Sequence, residues 1–151
     1  MKKTIVLASD HAGYPLKEAL KAQLTTAGFP VVDAGTDSTV SCDYPVYAEA
    51  GCRKLLDGEG DLCILCCGTG IGMSMAANKI RGIRAACCSD TYSARYTRLH
   101  NDANVLCLGA RVVGEGLAWE IAETFLTTEF EGGKHARRVG LIMDLEARQQ
   151  D

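Results

Sequence analysis

The strongest constraint on how this chain folds is a set of short, unbroken apolar runs separated by stretches of helical character. The run Leu62-Cys63-Ile64-Leu65-Cys66 has no charged or amide side chain at all. A strand with one face in water alternates apolar and polar residues. One that is apolar throughout is covered on both faces, and sheets of such strands are parallel, with helices on each side. Similar runs occupy residues 5–9, 30–34, 83–88 and 104–108. Between and after them, helices are expected over 16–26, ended by Gly28, then 71–79, 91–98 and 115–125, with a last one from about residue 134 almost to the end. Asp43 can cap a further helix through about residue 56, with Pro45 in its first turn, where a missing N–H costs little.

This pattern predicts a single domain over residues 1–151: a doubly wound, Rossmann-like α/β fold with a five-stranded parallel sheet and helices on both faces. No linker or repeat divides the chain, and 151 residues suffice for one substantial core. Ligands of such sheets bind beyond the carboxyl ends of the strands, near the point where strand order reverses. Asp10 and His11 follow the first run, Cys67-Gly68-Thr69-Gly70 the third, Ser89-Asp90 the fourth and Arg111 the fifth.

Cys67-Gly68-Thr69-Gly70-Ile71-Gly72 joins a buried strand to a helix start. Glycines let successive N–H groups converge on an anion, although a tight, close-packed turn has the same spacing. The loop is not a Walker loop, since it lacks the Gly-Lys-Ser/Thr ending. It also departs from the dinucleotide pattern, because Met73 stands where the third glycine belongs. A thiol just before a helix start has its thiolate favoured by the N–H groups there and can act as a base. Position alone does not separate that role from another buried strand cysteine such as Cys87 or Cys107. Asp10 can orient a proton or simply cap the next helix. His100-Asn101-Asp102 is expected in a loop before the fifth strand.

The other cysteines do not form a scaffold. Neighbours along a strand point to opposite faces, so neither Cys66-Cys67 nor Cys87-Cys88 presents two thiols to one site. Cys63 and Cys66 likewise diverge, and no second Cys/His pair has matching spacing, so structural zinc is not expected. A reducing cytoplasm fits these small buried residues. The start, Met1 to Ala8, briefly resembles a signal peptide, but its apolar part is short and Asp10 and His11 interrupt it, so it reads as a strand. No apolar run is long enough to span a membrane. The formal charge of −3 argues against a general nucleic-acid binder. Lys134, Arg137 and Arg138, beside His135, are either a solvated helix face or a phosphate clamp: Lys134 and Arg138, four apart, share one side.

Together these stretches resemble the type B ribose-5-phosphate isomerase family, which includes allose-6-phosphate and galactose-6-phosphate isomerases. The resemblance rests on Ser9-Asp10-His11-Ala12-Gly13, Asp43-Tyr44-Pro45, the Cys67 to Gly72 loop with Ala76-Ala77-Asn78-Lys79, His100-Asn101-Asp102-Ala103-Asn104, Gly109-Ala110-Arg111-Val112-Val113-Gly114 and Gly132-Gly133-Lys134-His135. It implies aldose–ketose isomerisation without metal or organic cofactor. Cys67 would move a proton between C2 and C1. Thr69 and the backbone N–H groups from Gly68 through Gly70, Ile71 and Gly72 would hold the enediolate. His100 would assist opening of the furanose ring. Asp10 and His11 would line the sugar pocket, Asn101 would contact its hydroxyls, and Arg111, Lys134 and Arg138 would hold the phosphate. It further implies a homodimer or homotetramer whose C-terminal helix reaches a neighbouring subunit's site. Position 134 is commonly arginine in relatives, and lysine keeps the charge without the forked contact. Two other readings are a six-carbon sugar phosphate as substrate and a non-catalytic nucleotide- or phosphate-binding module with Asp90 on a ribose. A thiol redox protein would need a disulfide among Cys63, Cys66 and Cys67.

Overall fold

The computed structural model describes residues 1–149. In chain order the elements are β1 (Ile5–Ser9), α1 (Tyr14–Thr26), β2 (Val31–Asp33), α2 (Tyr44–Leu56), β3 (Leu62–Cys67), α3 (Ile71–Ala77), β4 (Ala85–Cys87), α4 (Thr91–Asn101), β5 (Val105–Gly109), α5 (Glu115–Thr127) and α6 (Lys134–Arg148). The five strands form one parallel sheet in the order β2-β1-β3-β5-β4. Chain order runs outward from β1 to β2 and then back across to β3. The loops after β1 and β3 therefore diverge from a shared crevice, the switch point of a doubly wound sheet.

Strand alternation sorts the core into two layers. Ile5, Leu7, Leu62, Ile64, Cys66, Leu106 and Leu108 face α1 and α5 through Leu20, Leu24, Ile121 and Phe125. Val6, Ala8, Cys63, Leu65, Cys67, Val105 and Cys107 face α2 and α3 through Ala48, Cys52, Met73 and Ala77. Each fully buried Leu or Ile contributes about 1.5–3 kcal/mol relative to exposure. The small cysteines on the second side let α2 and α3 lie close to the sheet. Cys63 and Cys66 fall in opposite layers, as their odd spacing predicts, and all eight cysteines are free thiols.

Three local expectations are corrected. Asp43 takes the position before α2 with extended backbone, but its carboxylate makes no capping bond. Pro45 has removed one of the N–H groups it would accept, and the Val46 N–H goes to the Asp43 carbonyl instead. The fourth strand is shorter than residues 83–88. The Arg84 N–H is taken by the Asn104 side chain and that of Ala85 by Asn78, so the edge strand is pinned by amides at its start. Finally, α4 continues past residue 98 to Asn101, which puts His100 and Asn101 in a helical turn instead of a loop. Asp102 ends the helix in the left-handed region (φ 46), and the following Ala103 N–H bonds the Thr97 carbonyl at 3.2 Å.

Candidate active site

At the carboxyl edge of the sheet the backbone does most of the construction. Asp10, 6% exposed after β1, accepts the Gly13 N–H at 2.9 Å. Its carboxylate thus takes the bland turn-closing part while still facing the crevice. Gly13 passes so close to β3 that a Cβ there would stand 2.2 Å from the Cys66 carbonyl oxygen, which no larger residue tolerates. His11 Nδ1 accepts the Cys42 N–H at 3.1 Å, leaving Nε2 to carry the proton of the neutral ring.

Cys67 is the last residue of β3 and is 5% exposed, whereas Cys63 and Cys66 are completely buried. Its Sγ accepts the Gly70 N–H at 3.2 Å. Gly70 adopts φ 79, and a side chain there would also collide with the Leu108 carbonyl carbon at 2.9 Å. A left-handed residue pressed against β5 turns the N–H back onto the sulfur, and only glycine meets both demands. Thr69 Oγ1 accepts the Ile71 N–H at 3.2 Å. The Ala110 and Arg111 N–H groups bond the Cys67 and Gly68 carbonyls at 2.9 and 3.0 Å, which ties the loop after β5 to the glycine loop. Arg111 Nη1 lies 3.2 Å from where a Gly68 methyl would stand, so its guanidinium lies against the loop. Asp10, His11, Gly68, Thr69, Gly70, Ile71, Gly72 and Arg111 thus share one edge with Cys67.

Burial pushes the thiols of Cys52 and Cys88 up to about 12 and those of Cys63, Cys66 and Cys107 well above their ordinary value. These five are neutral packing residues. Cys87 is not, contrary to the reading that groups it with Cys107. It is exposed, and its Sγ lies 3.7 Å from the Thr69 carbonyl oxygen. Burial and then the nearby Cys67 raise its pKa. Position at a strand end was the signal that could have marked it. Tyr44, quoted above within a motif but given no role, is the other residue not placed at this loop: its ring covers Gly72, where a Cβ would sit 2.6 Å from Cε1.

The remaining predicted residues lie elsewhere. His100 stacks on His135 with ring centroids 3.9 Å apart and planes 8° from parallel, and Tyr96 meets it edge-on at 5.1 Å. Its Nε2 is 3.4 Å from Glu131 Oε2. Desolvation, followed by the charges of His100, Lys134 and Arg138, holds His135 below its ordinary pKa, Glu131 opposing. Arg98 Nη1 binds Asp102 Oδ1 at 3.0 Å and Arg84 Nη2 binds the Asp102 carbonyl at 2.8 Å, fixing the end of α4. Asn101, Lys134 and Arg138 are exposed. The strand register pairs Cys63 with Val105 and Cys67 with Gly109. His100 and Asn101 precede Val105, so they lie at the amino edge, about 13 Å or more from Cys67 along the strand direction. One copy of the chain therefore divides the predicted site into two sets. A groove of about 660 Å³ lies away from Cys67: it runs between α6 and the start of β4, past Arg84, Asn101, Ile142 and Glu146. Asp90, the candidate ribose ligand, accepts the Ser93 N–H at 2.6 Å and caps α4.

Residues 5–142 match the family described as Ribose/Galactose Isomerase. Ribose-5-phosphate isomerase B of Escherichia coli strain K12 is 47% identical over 146 residues, 97% of this chain and 98% of the relative. The structure of Clostridium thermocellum ribose-5-phosphate isomerase B superposes with a TM-score of 0.96 at 48% identity, covering 97% of this chain and 99% of that one. That of the Thermotoga maritima ribose 5-phosphate isomerase gives 0.93 at 49% identity, covering 95% and 99%. A match over nearly the full length, in sequence and in backbone alike, means that this chain belongs to the ribose/galactose isomerase family.

Proposed function

We propose that this sugar-phosphate isomerase interconverts ribose 5-phosphate and ribulose 5-phosphate, with Cys67 as the proton-transferring base and no metal or organic cofactor. The observation that carries the reading is the Gly70 N–H directed at Cys67 Sγ from a loop on the switch-point crevice. The thiolate takes the C2 proton of the open-chain aldose, giving a cis-enediolate. The same proton returns to C1, while the O2 proton leaves and O1 is protonated, so atoms and charge balance. A proton beside a carbonyl is weakly acidic, so donors at the developing oxyanion supply much of the rate, about 2.7–4 kcal/mol for one such donor. Thr69 and the loop N–H groups are those donors, and Arg111 holds the phosphate.

A second copy of the chain completes the site. An isologous pair sets the amino edge of one subunit against the carboxyl edge of the other, twice over. His100 then opens the ring, Asn101 meets the hydroxyls, and Lys134 and Arg138 join Arg111 on the phosphate. The exposed apolar residues Ile71 and Met75 on α3, and Leu141, Ile142 and Leu145 on α6, support such a pairing. Among the described residues no helix is long and apolar enough to cross a membrane, which accords with a cytoplasmic enzyme of pentose phosphate metabolism.

Cys67→Ser tests the base. Substrate binding should persist while exchange of the C2 proton with solvent stops, and undiminished exchange would remove Cys67 from the mechanism. Side-by-side kcat/KM values for five- and six-carbon aldose phosphates test the substrate. A preference for allose or galactose 6-phosphate would reassign it.

A further inference from the structure

His100, Glu131 and His135 come from three separate segments yet converge. One ligand atom from each lies within 4.8 Å of the other two. The backbone holds them there: the Glu131 N–H bonds the Leu99 carbonyl at 3.1 Å, and the His135 N–H bonds that of Gly132 at 3.1 Å. Gly132 and Gly133, both at positive φ, reverse the chain so that Glu131 and His135 face the same side. Tetrahedral zinc, with bonds of about 2.0–2.1 Å, needs ligand atoms roughly 3.4 Å apart. His100 Nε2 and Glu131 Oε2 already stand at 3.4 Å. The two imidazoles lie parallel with centroids 3.9 Å apart, and a ring nitrogen donates in the plane of its ring, so both rings must turn about their side-chain bonds to aim at one ion. Two imidazoles and one carboxylate select a transition ion over calcium or magnesium. His135 is buried. Lys134 and Arg138 oppose a cation, and the Glu131 carboxylate offsets them in part.

We propose that His100, Glu131 and His135 form a binding site for a zinc-class divalent ion, occupied in competition with isomerisation because the ion takes the imidazole that opens the sugar ring. The inhibitory consequence rests on the isomerase reading above; the site itself does not. Among the described residues these are the groups that converge in this way. They are also distinct from the thiols, which could bind the same ions.

Cobalt(II) in place of zinc separates the two. The intact protein titrated with CoCl₂ should develop visible absorption of a nitrogen- and oxygen-ligated ion, without the near-ultraviolet band of a thiolate complex. Glu131→Gln and His135→Gln should each weaken that binding by about tenfold or more. Binding that both variants retain, or that appears only with the thiolate band, overturns the site. In turnover assays zinc should inhibit the unaltered protein, and Glu131→Gln, measured against its own metal-free rate, should resist it. Equal inhibition of both overturns the competitive role. Absence of any sugar-phosphate turnover would sink the isomerase reading while leaving the cobalt spectrum as the test of the site.

Discussion

The two edges of the sheet are built differently. At the carboxyl edge, around Cys67, the working groups are mostly backbone N–H donors held by glycines that no other residue could replace. They come from short loops next to each other in space and need no side-chain adjustment. At the amino edge, His100 is placed by long side chains from α4, the 128–133 loop and α6, with two arginines on Asp102 as clamps. The first edge is preorganised and local. The second is adaptable, and under the proposed pairing it meets Cys67 across a subunit boundary.

The largest effect expected from breaking this comparison is at Cys67. Cys67→Ser should lower kcat by about 10²–10⁴-fold, the range for loss of a positioned base. His100→Asn should be similarly inactive with open-chain exchange intact. Mixing the two inactive variants and allowing subunits to exchange should restore about a quarter of the activity, because each mixed dimer carries one unaltered site. Recovery of nothing would place both residues in the same subunit's site.

Gly70→Ala comes next. It strains a left-handed residue and displaces the N–H from Sγ, so kcat/KM should fall by about 10²-fold, with a smaller loss of stability. An alanine of full activity would show that the cradle is only a turn.

Stability is the third measure. Lys17, 1% exposed, holds Asp33 at 2.8 Å and the Thr36 carbonyl, beside the carboxyl edge. Burial raises the Asp33 pKa, but hydrogen bonds from Lys17, Lys21 and the Gly35 N–H outweigh it and leave the group below its ordinary value. A carboxylate depressed on folding contributes stability that is present above its unfolded pKa. That contribution is lost as pH falls through the folded value. Thermal stability should therefore fall below the ordinary carboxylate range, and Asp33→Asn should cost about 3 kcal/mol at neutral pH and flatten that acid limb. An unchanged acid limb in the variant would clear this pair of responsibility.

Smallest is Lys134→Arg. A forked donor in place of a point charge should lower KM for the sugar phosphate a few-fold and leave kcat alone. An unchanged KM would remove position 134 from phosphate binding.

Much of this was legible in the linear chain. Runs such as residues 62–66 announce a two-faced parallel sheet, and their parity alone separates Cys63 from Cys66. The candidate glycine loop was visible because strand-to-helix turns carry their chemistry in consecutive residues. The contacts of Cys87 and Tyr44 with that loop were not visible, since each reaches it from an element distant in sequence. Nor was the extent of α4, which ends only at Asn101, where the left-handed Asp102 is held by Arg84 and Arg98.

The amino-acid order by itself determined the strand faces, the order of elements and the Cys67 loop, because hydrophobic period and glycine conformation act over a few neighbouring residues. Only the tertiary structure decided that His100 and Cys67 stand at opposite ends of one sheet. Which residues share an edge depends on strand direction and register, and those are set by packing between segments far apart in the chain.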